Sequence, residues 1–308
     1  MQSLLGGWPL RERTARRRAR TLLAAATAEI LDCPDARLLG YYSPASGPRR
    51  GLVVLLHGWE GSAHSRYMLT TGALAHRHGF DVFRLNFRDH GDTHALNEDL
   101  FHSCRLDEVV QAVARITELH PAPKTVLIGY SLGGNFALRV AARARDAGLR
   151  LDRVIAICPV LCPRNTMRAL ENGLWIYRRH FLRKWRRSLL AKAAVFPDRY
   201  DFGDLTRFPT LTATTEFFVD RYTDFKSLND YLDGYSITGD VLAGLDVPAR
   251  LIAARDDPVI PSADIDRIAR SPALDVTLAP AGGHCAFIEN LRLGSWLDRQ
   301  VLAELDAL

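Results

Sequence analysis

The sequence predicts an α/β protein: a mostly parallel, doubly wound sheet with a helical segment inserted before the strand that carries a key acid. Three observations predict it. Short apolar runs rich in β-branched residues alternate with helical patterns up to Ile157. The rhythm breaks at Pro159 and resumes at Pro248. Several runs end in polar or glycine-bearing turns, which gathers chemistry at the carboxyl edge of the sheet. The expected division is an N-terminal basic helical segment (1–35), a core in two pieces (36–160 and 246–308) and a helical lid between them (161–245).

The elements follow in order. Residues 10–30 read as a helix after Pro9, decorated with arginine and offering Leu22, Leu23, Ile30 and Leu31 as its apolar side. Its apolar side is mostly alanine, so packing on the main domain is preferred to a membrane surface or RNA. Residues 36–43 and 51–56 read as strands; Gly51-Leu52-Val53-Val54-Leu55-Leu56 has the unbroken apolar character of a central one. A helix spans 65–79, with Ser65 and Gly79 as caps, and a strand 81–86. A helix over 103–119 places Val109, Val110, Val113 and Ile116 on one face. Val126-Leu127-Ile128 is a strand, a helix runs on to about Ala147, and 153–157 is a strand. Arg164 to Val195 and Phe217 to Tyr235 are helical and aromatic-rich; Trp175, Tyr177 and Phe181 either line a pocket or form lid core. Strands return at 249–254 and 275–279, and 287–305 is the closing helix.

Composition bounds the function. The 308 residues, 47% hydrophobic, suffice for one large core or two modest ones. No apolar run approaches the roughly 18 residues that span a bilayer. The five cysteines lack C-x-x-C spacing, which suggests free thiols in a cytoplasmic setting. The net charge of +5 is uneven: residues 1–20 carry six Arg and one Glu, and residues 161–200 carry ten Lys/Arg and two acids. The basic lid therefore offers contact with a membrane surface or an acyl-carrier protein, with a solvated face as the plainer alternative. No nucleic-acid partner is expected.

Gly129-Tyr130-Ser131-Leu132-Gly133 is a G-x-S-x-G turn between a strand and a helix, the context in which that pattern exposes a nucleophilic serine. His57-Gly58-Trp59-Glu60-Gly61-Ser62 follows a central strand, where the Trp59 amide would join that of Leu132 in holding an oxyanion. His57 braces that loop in this reading, and Arg88 and Asp89 fix the turn carrying His90 and His94. Asp256 and Asp257 both end a strand; Asp257 is preferred as the orienting acid, with Asp256 bracing the loop. Gly282-Gly283 frees His284 to swing towards Ser131. The chain order Ser131, Asp257, His284 is that of a nucleophile-elbow hydrolase.

These residues carry a resemblance. His57 to Ser62, Leu85-Asn86-Phe87-Arg88, Tyr130 to Asn135 and Asp256-Asp257-Pro258 resemble the α/β-hydrolase superfamily, and within it the YheT-like branch related to the ABHD esterases. The resemblance covers nearly all the chain after residue 36. It implies a carboxylesterase or lipase-type serine hydrolase that acts on a small acyl ester and needs no cofactor or metal. The arginine-rich N-terminal segment and Asp89-His90-Gly91-Asp92 depart from the branch. Alternatives are a thioesterase or acyltransferase with the same triad, or a non-catalytic binding protein of this fold. The acyltransferase pattern H-x-x-x-x-D occurs at His76/Asp81, His94/Asp99 and His102/Asp107, none of them near the His284 loop.

Overall fold

The computed structural model describes residues 9–289 and 294–308. Its strands are β1 (Thr27–Asp32), β2 (Arg37–Ser43), β3 (Gly51–Leu56), β4 (Phe80–Leu85), β5 (Thr125–Tyr130), β6 (Arg153–Ile157), β7 (Ala249–Ala254) and β8 (Leu274–Ala279). They form one sheet in the order β1-β2-β4-β3-β5-β6-β7-β8. β1 and β2 are antiparallel to each other and β2 to β4; β3 to β8 pair in parallel. Every residue of β3, β4 and β5 is buried, as a strand covered on both faces requires. Leu52, Val54 and Leu56 enter one core and Val53 and Leu55 the other, the period-two alternation of a strand.

One face is covered by α1 (Pro9–Arg18), α2 (Arg20–Ala24), α3 (Arg66–Arg77) and α10 (Trp296–Asp306). The other is covered by α4 (Leu106–Leu119) and α5 (Leu132–Arg143). Between β6 and β7 lie α6 (Pro163–Asn172), α7 (Trp175–Val195), α8 (Leu211–Tyr222) and α9 (Leu228–Asp233). Their apolar side chains, Leu170, Leu182, Trp185 and Phe218 among them, continue the second core. Lys192 of α7 is 0% exposed and donates to Asp89 Oδ1 at 2.8 Å and to the carbonyls of His94, Asn97 and Asp99. That cluster ties the inserted helices to the loop after β4.

Two expectations change. The helix expected over 10–30 ends at Ala24, and 27–32 is a strand paired with β2. Ile30 is 45% exposed while Leu31 is fully buried, so these neighbours point to opposite faces rather than sharing a helix side. The sheet therefore begins at residue 27, inside the segment assigned as helical to residue 35. Ala15, Ala19 and Leu22, at helical spacing, are buried against the body of the protein. The closing helix starts at Trp296, not at 287. Cys285 and Phe287 adopt positive φ, which an α-helix cannot accommodate, and Ile288 bridges Ser295; the 290–293 part of that expectation lies outside the described residues.

Candidate active site

β5 ends at Tyr130 and α5 begins at Leu132, leaving Ser131 alone at the bend with φ 54° and ψ −117°. This is strained backbone for a residue with a side chain, and it lifts the hydroxyl clear of both elements. Neighbouring glycines make the bend sterically feasible. A Cβ on Gly129 would lie 2.0 Å from the Gly133 carbonyl oxygen, and one on Gly133 would lie 2.4 Å from that of His57.

His284 comes from the loop after β8 and stands between two partners. Its Nε2 is 3.0 Å from Ser131 Oγ and its Nδ1 2.9 Å from Asp257 Oδ2. Asp257, just beyond β7, is itself fixed: its Oδ1 accepts the N–H groups of Val259 at 2.8 Å and Ile260 at 3.0 Å. Asp256 points elsewhere, accepting the Gly282 and Gly283 N–H groups at 2.7 and 2.8 Å on Oδ1. It therefore braces the loop that presents His284. Burial works against charge on both members of the pair, but their mutual attraction outweighs it. The His284 pKa is raised to about 9, and Asp257 is held below the usual carboxylate value.

The loop after β3 passes beside the bend. The amides of Gly58, Glu60 and Gly61 donate to Tyr67 Oη, His90 Nε2 and the Gly58 carbonyl, and that of Ser131 to the Ile157 carbonyl. Among the described residues, the Trp59 and Leu132 amides have no protein acceptor. His57 is fully buried, donates from Nδ1 to the Gly58 carbonyl and accepts the Phe87 N–H on Nε2. Burial keeps its pKa well below the ordinary imidazole value, so it is a neutral brace. His90 likewise holds Glu60 in place, and burial lowers it to about 4. Arg88 meets Glu108 in a buried ion pair at 2.6 Å, so this turn is structural, and His94 reaches Ser188 of α7.

Two cavities share Ser131. The first, about 90 Å³, lies beneath the inserted helices and is walled by Phe101, Leu132, Leu170, Phe181, Trp185 and Phe218. The second, about 250 Å³, includes His284 and is lined by Glu60, Tyr67, Tyr177, Lys184 and Cys285. Phe181 and Tyr177 therefore do line cavities, whereas Trp175 is 61% exposed and faces outward. Glu60 has φ 55°, and burial, only partly offset by Lys184, raises its carboxyl to about 7. Sequence reasoning gave no site role to Glu60, Lys192, Leu170 or Phe218, although Glu60 stands within the His57 to Ser62 stretch and the other three within the helical insertion.

None of the H-x-x-x-x-D pairs converges. His76 bonds the Pro44 carbonyl, Asp81 takes Tyr42 and Arg49, and Asp107 faces Arg143. His102 lines the first cavity but has no such partner acid. Among the described residues, one group with metal-ligating atoms lies within 4.8 Å: Cys158, His284 and Cys285. A metal there would compete with Ser131 and Asp257 for the imidazole.

Residues 51–291 match the family described as the alpha/beta hydrolase fold. The chain belongs to the α/β-hydrolase fold family. By family it is a hydrolase. Among its relatives is the putative esterase YheT of Escherichia coli (strain K12), 24% identical over 272 residues that make up 84% of this chain and 77% of that protein. The monoacylglycerol lipase ABHD2 of Danio rerio is 24% identical over 64% of this chain and 50% of its own length. Among solved structures, an esterase of Pyrococcus furiosus superposes with a TM-score of 0.60 at 13% identity, covering 91% of this chain and 89% of that one. At that identity the likeness concerns the α/β-hydrolase fold alone. Among the described residues, no helix is long and apolar enough to cross a membrane.

Proposed function

We propose that the chain is a serine hydrolase that cleaves carboxylic esters through an acyl-enzyme on Ser131. The observation that carries this reading is the position of His284, 3.0 Å from the Ser131 hydroxyl and 2.9 Å from the Asp257 carboxylate. Neutral His284 takes the Ser131 proton on Nε2 as Oγ attacks the ester carbonyl. Asp257 holds the proton on Nδ1 and stabilises the imidazolium that forms. The Trp59 and Leu132 amides, which no group among the described residues claims, receive the developing oxyanion; donors of this kind are worth roughly 100- to 1000-fold each. His284 then protonates the departing alkoxide. A water activated by the same imidazole attacks the acyl-enzyme, and the acid leaves with Ser131 restored.

The helices over 161–245 act as a lid in this reading. The cavity beneath them, walled by Leu170, Trp185 and Phe218, takes the acyl group, and the cavity that Glu60 and Lys184 line takes the alcohol. The substrate is a small-molecule acyl ester. Five unpaired cysteines accord with a cytoplasmic setting.

The test is labelling by a fluorophosphonate probe, wild type against Ser131→Ala, followed by p-nitrophenyl esters from acetate to palmitate. Labelling that depends on Ser131 and turnover of one or more esters is expected. Labelling without ester turnover would move the reading to thioesters such as those of a carrier protein. A wild type that does not label would replace it with a binding protein of this fold.

A further inference from the structure

The described residues include nine large hydrophobic side chains that are markedly exposed, and five of them belong to one short stretch: Leu174, Trp175, Ile176, Leu190 and Val195. Leu174, Trp175 and Ile176 are consecutive and are 55%, 61% and 41% exposed. They open α7, whose buried residues Leu182, Trp185, Leu189 and Lys192 define its inner side. On the outer side Arg179, Arg183 and Arg187 recur with Ile176 and Leu190, all exposed. Residues 173–197 contain no acidic residue. Among the described residues, none of these three arginines meets a carboxylate, unlike Arg178, which reaches Glu171, or Lys192, which reaches Asp89.

A solvated helix face has no use for this combination. Exposed arginine alone would serve solubility, and a partner of acidic protein chemistry would need no run of three bare apolar side chains. Apolar residues that include a tryptophan, set among cations on one helix side, match the boundary between lipid headgroups and acyl chains. We propose that the outer side of α7 docks on the surface of an anionic lipid bilayer, with Leu174, Trp175 and Ile176 inserted and Arg179, Arg183 and Arg187 on the headgroups. Tyr177, Phe181 and Lys184, on the flank of the same helix between its outer and inner sides, line the cavity at Ser131 and His284. Docking therefore sets that cavity beside the lipid, and an acyl ester dissolved in the bilayer reaches it without crossing bulk water. Binding itself is independent of the acyl-enzyme reading; only this consequence rests on it.

The experiment is sedimentation of the full chain carrying Ser131→Ala with large unilamellar vesicles, so that no lipid is hydrolysed and binding is read without chemistry. Vesicles of phosphatidylcholine alone are compared with vesicles containing one third phosphatidylglycerol. Binding to the anionic vesicles, weakening as NaCl is raised, is expected. Arg179→Glu, Arg183→Glu and Arg187→Glu together should weaken it at least about 100-fold, since each cation at an anionic surface is worth roughly fivefold. Trp175→Ser with Ile176→Ser should weaken it while leaving its salt dependence in place. Both sets of changes, returned to the Ser131 protein, should label with a fluorophosphonate as the parent does, which reports an intact fold. Equal sedimentation with neutral and anionic vesicles, or none with either, overturns the proposal. So does a Trp175→Ser and Ile176→Ser protein that differs from the parent in mass by light scattering, for the patch is then a contact between copies. Binding to an acidic acyl-carrier protein in place of vesicles overturns it equally.

Discussion

Replacing Asp257 by Asn separates the role of its charge from that of its shape. Oδ1 accepts two loop amides, Val259 at 2.8 Å and Ile260 at 3.0 Å, and Oδ2 accepts His284 Nδ1–H at 2.9 Å. An asparagine has one oxygen, and two fixed N–H donors from the backbone claim it. Its NH2 group must then face His284. Two donors cannot share that contact, so the ring presents Nδ1 as acceptor and moves its proton to Nε2. Nε2–H faces Ser131 Oγ at 3.0 Å and can no longer take the hydroxyl proton. Wrong-tautomer losses of this kind are about 10,000-fold in kcat, near 5.5 kcal/mol of barrier. The fold should keep its melting temperature within a few degrees, because both loop amides remain bonded. Asp256→Asn is the control: its single bonded oxygen serves the Gly282 and Gly283 amides, which asparagine satisfies equally, so activity should stay within a few-fold. The assay is kcat for p-nitrophenyl butyrate with the fluorophosphonate labelling rate alongside. An Asp257→Asn protein within tenfold of wild type, or an Asp256→Asn protein that is the worse of the two, refutes the assignment.

Four further outcomes follow from the same structure. The base must be neutral, and Asp257 raises His284 to about 9 against an ordinary 6.5, so kcat/KM should climb with pH to a midpoint well above 6.5; a limb at or below 6.5 contradicts the pairing. The same pair stabilises the fold fully below pH 6.5 on the histidine side and loses that contribution as pH rises through about 9, so the melting-temperature gap between wild type and Asp257→Asn should close above that pH. Lys192→Met leaves Asp89 buried without its cation, at a cost of about 3 kcal/mol; with roughly 2.1 cal/mol/K of unfolding entropy per residue over the chain, calorimetry should find a fall of about 5 °C, and no fall would mean the pair adds nothing. Met167→Trp intrudes on the cavity beneath the helices and should shift ester preference towards acetate, as a panel of p-nitrophenyl esters would report; an unchanged profile would place the acyl group elsewhere.

What the sequence disclosed and what it withheld divide along a physical line. The sheet was legible because each central strand is a continuous apolar run, and such a run has few other stable uses. The bend at Ser131 was legible because the close approach of strand and helix admits only glycine at 129 and 133, and the cost of any Cβ there is written into the residue type. Asp256 and Asp257 are adjacent and identical, and what separates them is where each carboxylate points: Asp257 to His284, Asp256 to the Gly282 and Gly283 amides. β1 was misread because Ile30 and Leu31 suit a helix side as well as two sides of a strand, and only pairing with β2 decides between them. The inserted helices were the least legible part. Their cavity is made where Leu170, Trp185 and Phe218 from three helices happen to meet, and no spacing along the chain encodes that meeting. Lys192 illustrates the limit most sharply. Within a run of basic residues it reads as one more surface charge, yet it is the residue in that run with no exposure at all, because an acid 103 residues away needs it. Its exposed neighbours Arg179, Arg183 and Arg187 share its chemistry and differ from it only in which side of α7 they occupy. Charge in a sequence therefore says that a helix has a cationic side. Burial has to say whether that side locks the fold or faces a partner, and in α7 the two uses lie back to back.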